Sequence, residues 1–375
     1  MVSDDVLLCI FDSDRRAYNH LLECLYYEGR CTWPWYKFAH VCRRWRCIVL
    51  AFPGHLNLRI GCKSKTDVQV ALNTWPALPL GIHEYLGVAG ADEDDIIGAL
   101  EHRDRIAAVH LRGFDYSQLK KCIALMLEPF PFLTSLHLLA DERSTFDPTD
   151  AFLGGSAPLL QKMSLCAGII RFPSLPSMSG LVNLTIRGVP MTGEGLLSPD
   201  AMITCLSVLT KLRSLTLTVP WQIISSPYST DQQAHPSALA VLPALNDLSL
   251  QGPYHGGYLE DLLCQVYAPL LNYGRLEFYN EPMLDTPRVL QFIHRVKVFK
   301  WRCKFRVNFF RESWIFTSFR SLVGPAEFTL SFPCSGLPAQ VAMVERVSAQ
   351  WLPLVSHVEV LELDGSYSIP GQEKS

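Results

Sequence analysis

Charge is scarce in this chain. Asp, Glu, Lys and Arg make up 18% of 375 residues, below the roughly 25% of an average globular protein. A formal net charge of −3 lacks the basic excess of a general polyanion binder, so nucleic acid is not expected as a partner. The opening "MVSDDVLLCI" has acids where a secretory signal needs positive charge, and its apolar run is too short. The longest apolar stretch, "CIALMLEPFPFLTSLHLLA", is interrupted by Glu128, Pro129, Pro131 and His137, which argues against a membrane span. Twelve cysteines are present, yet no pair is spaced C-x-x-C. The group Cys24, Cys31, His40 and Cys42 fits no common zinc spacing, so free thiols are expected and no metal. The chain also lacks G-x-S-x-G, G-x-x-x-x-G-K-[ST] and G-x-G-x-x-G, which removes the usual signals for serine hydrolysis and nucleotide binding. The turn "YHGGY" at 254–258 has no nucleophile elbow to serve. No catalytic residue and no cofactor are expected. An intracellular protein of the cytoplasm or nucleus fits these absences.

What the chain has is apolar material, 49% of its residues, organised by a recurring phrase. L-x-x-L-x-L, or a close variant, returns as "RIAAVHL" (105–111), "FLTSLHL" (132–138), "LLQKMSL" (159–165), "GLVNLTI" (180–186), "KLRSLTL" (211–217), "ALNDLSL" (244–250) and "VEVLEL" (358–363). Weaker copies are "GRLEF" at 274–278 and "AEFTL" at 326–330. Aligning the middle apolar residue predicts equivalence of positions 109, 136, 163, 184, 215, 248, 276, 328 and 361, mostly 21 to 33 residues apart. The interval from 276 to 328 leaves room for one further degenerate unit near "VKVFKWR". "LNLRI" (56–60) and "LPLGI" (78–82) are expected as the first two strands.

Helical patterns lie between these phrases. "DEDDIIGALEHRD" opens with acids suited to a helix N-terminus, and "SPDAMITCLSVLT" begins with a capping Ser-Pro-Asp. "YLEDLLCQVYA", "TPRVLQFIHR" and "AQVAMVERVSAQWL" carry apolar residues at three- and four-residue spacing. A short strand followed by a helix at this period predicts an α/β fold, an irregular leucine-rich-repeat solenoid over 53–366 whose units bury their apolar faces by stacking. The basic stretch "RVKVFKWRCKFR" (295–306) alternates apolar and polar residues from Trp301 to Phe309, which predicts a half-buried strand with a solvated basic face.

The first 52 residues follow no repeat. Ser3 caps a short helix over "SDDVLLCIF", with Asp4 and Asp5 in its first turn and Val6, Leu7, Ile10 and Phe11 on one face. In the later segment ending in "HVCRRWRCIV", Phe38, Val41, Trp45, Ile48 and Val49 recur at helical spacing while Arg43, Arg44 and Arg46 occupy the remaining surface. These two segments resemble an F-box. Taken with "WPALPLGI", "DDIIGALEHRDRI", "FLGGSAPLLQ", "PDAMITCLSVLTKLRSL", "YLEDLLCQVYAPLL" and "DTPRVLQFI", residues 2–295 resemble the F-box leucine-rich-repeat proteins of mushroom-forming fungi. That family usually opens its first helix with Leu-Pro, where this chain has Val2 and Ser3. The resemblance implies a small helical F-box over 1–52 that docks a Skp adaptor, and through it a cullin scaffold, by way of Val6, Leu7, Ile10, Phe11, Val41, Trp45 and Ile48. It further implies a substrate receptor of a ubiquitin ligase that catalyses nothing itself. The rival expectation is a repeat scaffold with no ligase role.

The target protein is expected on the face that the repeat leaves polar. When the leucines of L-x-x-L-x-L point inward, the residues between them point the other way. That row contains His110, Arg112, His137, Thr185, Arg187, Thr216, Thr218, Ser249, Gln251, Glu277, Tyr279, Glu362 and Asp364. Of these, His110, Arg112, Arg187, Thr216, Thr218, Gln251 and Tyr279 are the candidate target contacts. The polar stretch at 367–375 is expected to be a disordered tail. The helix at 339–351 and the last strand, without a capping unit, are expected to be the least stable part of the array.

Overall fold

The computed structural model describes residues 3–24, 36–51, 58–60, 79–85, 93–171, 178–219, 239–253, 258–279, 287–296, 303–310, 314–321, 326–333 and 358–365, apart from 142, 148, 150, 193 and 194, plus a few isolated positions. The expected tail at 367–375 lies outside them, as do 297–302 in the basic stretch, 254–257 in "YHGGY" and most of 339–351. The chain is mixed α/β and divides into two compact units: Met1–Ser144 with Pro148–Lys162, and Thr145–Asp147 with Met163–Ser375.

In the first unit, helix α1 (Asp4–Cys24) is followed by α2 (Tyr36–Val41) and α3 (Arg43–Ala51). Ser3 caps α1 as expected, its Oγ accepting from Val6 N at 3.4 Å. The helix is not short: it continues for 21 residues, to Cys24, well beyond the expected "SDDVLLCIF". Three strands then pair in parallel, β1 (Leu58–Ile60) with β2 (Leu80–Tyr85) and β2 with β3 (Ile106–Phe114), and β3 pairs with β4 (Ser135–Ala140) in the same sense. Helix α4 (Glu93–Leu100) joins β2 to β3, and α5 (Tyr116–Leu125) joins β3 to β4. Each helix starts on acidic chemistry. Glu93, Asp94 and Asp95 fill the first turn of α4, and Asp115 forms a reciprocal capping box with Gln118 at the start of α5.

The second unit is built on a sheet ordered β6 (Lys162–Arg171), β7 (Asn183–Thr192), β9 (Ser214–Thr218), β11 (Asp247–Gly252), β13 (Tyr273–Phe278), β16 (Glu327–Pro333), β15 (Trp314–Ser321), β14 (Cys303–Phe310) and β17 (Val358–Gly365). Short strands β5 (Thr145–Phe146) and β8 (Gly195–Leu196) flank β6 and β7, and β10 (Ala240–Val241) pairs with β12 (Val266–Tyr267). Helices α6 (Pro199–Ser207), α7 (Tyr258–Gln265) and α8 (Pro287–Arg295) pack in sequence order. They are tied by Gln265 Nε2 donating to Asp200 at 2.7 Å, by Arg295 donating to the Cys264 carbonyl at 2.6 Å, and by an Arg288–Asp261 ion pair.

One local device recurs at the start of six of the repeat phrases. The opening leucine folds back by an i→i−3 amide bond: Leu133 to Phe130, Leu160 to Ala157, Leu181 to Met178, Leu212 to Leu209, Leu245 to Leu242 and Leu271 to Ala268. The next two amides then reach the neighbouring unit. Arg213 and Ser214 both donate to Val182 O, Asn246 and Asp247 to Arg213 O, and Asn272 and Tyr273 to Asn246 O. In the first unit Gln161 and Lys162 share Thr134 O in the same way. These bonds satisfy backbone groups that the turn would otherwise leave orphaned between stacked units. The strands that follow alternate, with Leu184, Leu215, Leu248 and Phe328 in one fully buried row and Ile186, Leu217, Leu250, Leu276 and Leu330 in the next.

Two expectations about the repeat are corrected. Gly274, not Leu276, stands opposite Leu248 and Phe328, so the weak copy at 274–278 sits two residues out of the expected register. Its glycine hid the equivalence. The long interval before 328 holds no further parallel unit between β13 and β16, because those two strands pair directly. It contains instead the hairpin strands β14 and β15, antiparallel to each other, with β15 antiparallel to β16. The end of the basic stretch is strand, since Cys303–Arg306 open β14; its alternation continues there to Phe309.

Candidate functional site

The N-terminal helices offer an apolar surface. Phe11, Phe38 and Trp45 form a ring cluster with centroids 4.7, 5.0 and 5.9 Å apart, and Leu7, Phe11, Ile48 and Val49 are buried. The expected docking residues therefore separate into two sets. Leu7, Phe11 and Ile48 are internal, Trp45 is half-buried against the rings, and Val6, Ile10 and Val41 are 48%, 46% and 59% exposed. The arginines lie away from this core as expected. Arg44 Nε donates to Asp4 at 3.0 Å, tying α3 to the start of α1, and Arg46 Nε donates to the Ala39 carbonyl at 2.9 Å.

The polar face of the second unit is a grid set by strand register. One row across the strands is Thr185, Thr216, Ser249, Arg275 and Thr329, and the next is Arg187, Thr218, Gln251, Glu277 and Ser331. Side chains within the second row are linked. Thr218 Oγ1 donates to Gln251 Oε1 at 3.2 Å, Gln251 Nε2 to Glu277 Oε2 at 3.4 Å, and Arg275 pairs with the same carboxylate oxygen at 2.7 Å. Tyr279 follows β13, its amide held by the Gly252 carbonyl. Burial, reinforced by the Glu277 carboxylate and opposed by Arg187, pushes its phenol above the ordinary range. Arg187 is exposed and has no hydrogen-bond or ion-pair partner among the described residues. Asp247, at the opposite end of β11, is pushed up by burial.

The first unit presents a different chemistry. His83, His110 and His137 occupy one registered row on β2, β3 and β4. Adjacent ring centroids are 4.2 and 5.8 Å apart, and His110 Nε2 lies 3.0 Å from Ser135 Oγ. Arg112 is half-buried one row further along. Both candidate arginines precede a glycine in the left-handed half of backbone space, Gly113 at φ 76° and Gly188 at φ 152°. At Gly188 an added Cβ would lie 2.1 Å from the Ala167 carbonyl oxygen. Glycine is the residue that adopts this backbone at little cost, so each arginine is followed by a position that other side chains would strain.

The structure therefore brings Arg187, Thr218, Gln251 and Glu277 into one row, with Thr216 in the row beside it and Tyr279 just beyond β13. His110 and Arg112 belong to the separate first unit. His83 and Arg275 were not anticipated. His83 lies one residue past the strand expected at 78–82, and Arg275 was displaced by the two-residue register error. A signal for the row was present: "LRG" at 111–113, "IRG" at 186–188, "LQG" at 250–252 and "LDG" at 363–365 share a polar residue followed by glycine. Glu362 and Asp364 lie on β17, in register with Arg306 and Asn308.

Among the described residues no cluster of three or more His, Cys, Asp or Glu side chains could hold a metal ion, and no helix is long and apolar enough to cross a membrane. Cys31, one of the four imagined ligands, lies outside the described residues. No protein-family model, curated protein or solved structure matches the chain.

Proposed function

We propose that the chain is a non-enzymatic receptor: a leucine-rich-repeat solenoid that captures a protein target, preceded by an F-box-like helical module that docks a Skp adaptor and, through it, a cullin scaffold. The observation that carries this reading is the regular stitch between repeats, in which two amides of one unit share a carbonyl of the unit before it. Stacked repeats of this type expose an extended polar face, and extended faces suit protein capture better than small-molecule turnover. The half-exposed Val6, Ile10 and Val41 support an adaptor-binding role for the helical segment. Apolar side chains left in water on a small helical unit gain free energy when a partner covers them.

The test is co-expression of the full chain with a Skp adaptor and co-elution on size exclusion. Co-elution is expected for the wild type and lost for Ile10→Asp, whose side chain is outside the buried core. Failure of the wild type to retain the adaptor would leave the repeat scaffold without a ligase role as the better reading.

A further inference from the structure

The outward positions of β2, β3 and β4 form registered rows: Gly81, Ala108 and Ser135; His83, His110 and His137; then Arg112 and Leu139. Four of these eight positions are basic residues and none is acidic, although Asp and Glu outnumber Lys and Arg in the chain as a whole, 36 to 33. Glu84, the acid on β2, faces the other way. It sits in register with buried Leu111 and accepts the Cys62 amide at 2.8 Å. The acids just beyond the strand ends are engaged locally. Asp115 accepts from Gln118 N and Ser117 Oγ at the cap of α5, and Asp141 accepts from Arg143 N. Arg112 has no hydrogen-bond or ion-pair partner among the described residues. Arg112 is thus a half-buried guanidinium with no carboxylate paired to it among the described residues.

We infer that this face binds a carboxylate-rich segment of a partner protein, and binds it more tightly as the medium is acidified from about pH 7.5 to 5.5. The inference rests on reading the polar face as a target-capturing surface, but it does not depend on the adaptor. Imidazole ordinarily titrates near pH 6.5 and carboxylates near 4, so in this window the segment stays anionic while the row gains charge. Rings 4.2 Å apart resist charging together, because like charges that close repel. An anion laid along the row relieves that repulsion, so binding takes up protons, and acid then favours binding. The row beside the rings carries only small side chains, Gly81, Ala108 and Ser135.

The probe is a fluorescein-labelled octapeptide of alternating glutamate and serine, with a glutamine–serine octapeptide as neutral control, added to the full-length protein. One proton taken up at an imidazole between these two pH values corresponds to about tenfold tighter binding at pH 5.5. Arg112→Glu should weaken binding about fivefold or more at both pH values, and His110→Gln should flatten the pH dependence while sparing the binding at pH 7.5. Circular dichroism checks that each variant is folded. If either is not, the wild-type pH profile and its loss at high salt decide alone. Equal affinity at the two pH values, no binding at either, or equal binding of the neutral peptide would overturn the inference. Displacement by free glutamate at equimolar concentration would overturn the segment in favour of a small carboxylate. Because the adaptor is absent from this assay, its failure leaves the docking proposal standing, and failure of co-elution leaves this one standing.

Discussion

Exchanging the sizes of residues 274 and 328 tests the repeat register directly. Gly274 occupies the inward position that holds Leu215 and Leu248 on the neighbouring strands, and Phe328 faces it from β16. A Cβ on Gly274 would lie 2.2 Å from Phe328 Cδ2 and 2.7 Å from Cε2. Phe328 is fully buried and its ring centroid is 6.3 Å from that of Phe292. Gly274→Leu should therefore overpack the row and destabilise by at least about 1–3 kcal/mol, outweighing the roughly 0.5–1 kcal/mol that removing a strand glycine returns. Phe328→Ala should cost about 3–5 kcal/mol through the cavity it leaves. Combined, the two changes restore leucine at the repeat's usual place and roughly conserve the volume of the pair. The double variant should lie within about 1.5 kcal/mol of wild type, a coupling of about 2 kcal/mol or more. Urea unfolding of all four proteins by circular dichroism, fitted on the transition that both single changes shift, gives the cycle. Additive effects would mean that 274 and 328 do not share a layer, and the register of the second unit would be wrong.

Other expectations are simpler. Phe11→Ala removes the centre of the ring cluster and should cost about 3–5 kcal/mol, whereas Val6→Asp should change stability by no more than about 0.5 kcal/mol and still abolish adaptor co-elution. Equal unfolding by both would refute the division into core and docking surface. Burial pushes the Cys122 thiol up to about 12 and raises that of Cys62 further, while Cys9, Cys42 and Cys47 are exposed. Iodoacetamide at pH 8 should therefore label the exposed three first, and early modification of Cys62 or Cys122 by mass spectrometry would contradict their placement. The Asp115 carboxyl is held below its ordinary range, chiefly by the Gln118 amide and then by the Ser117 hydroxyl. Its folded value lies below the unfolded one, so its contribution is present above about pH 4 and fades as pH falls through the folded value. The stability gap between wild type and Asp115→Ala should be level from pH 7 to 5 and close in stronger acid. A gap that persists at low pH would remove the charge from the cap's account.

How far the fold could be read depended on how each element announces itself. The phrase L-x-x-L-x-L marks both the turn and the strand, because its first leucine closes the i→i−3 bond and its next two apolar residues enter the buried rows. Strands such as Ser214–Thr218 and Asp247–Gly252 were therefore legible to within a residue or so. Helices with capping chemistry, such as Ser198 accepting from Ala201 N at 3.2 Å, were equally plain. The hairpin of β14 and β15 was not. Alternation of apolar and polar residues states that a strand is half-buried, but carries no information on whether its neighbour runs parallel or antiparallel. The length of α1 was missed for a related reason. The apolar face of Val6, Leu7, Ile10 and Phe11 sets where the helix begins and what it buries, but nothing after Phe11 in "DSDRR" continues that face to show that the helix runs on to Cys24.

The polar face shows a deeper limit. Which residues point outward followed from the period of two, so Arg187, Thr218, Gln251 and His110 could be named from the sequence. Which of them meet each other depended on register between strands more than 20 residues apart, and a single glycine displaced that register by two. Correcting it replaced a mixed list with two distinct surfaces. In the second unit, Arg275 neutralises Glu277 and leaves Arg187 as the free charge of its row. In the first unit, His83 completes a column of three imidazoles beside Arg112. A surface of the first kind has its charges already satisfied except at one corner, so it discriminates by hydrogen bonding. A surface of the second kind sets a cation beside three imidazoles, so on the proposed reading it discriminates by the charge of what it meets. On that reading the two should respond differently to conditions: acid should strengthen capture at the imidazole column, whereas capture at the Thr218–Gln251 row, which holds no imidazole, should change little between pH 7.5 and 5.5.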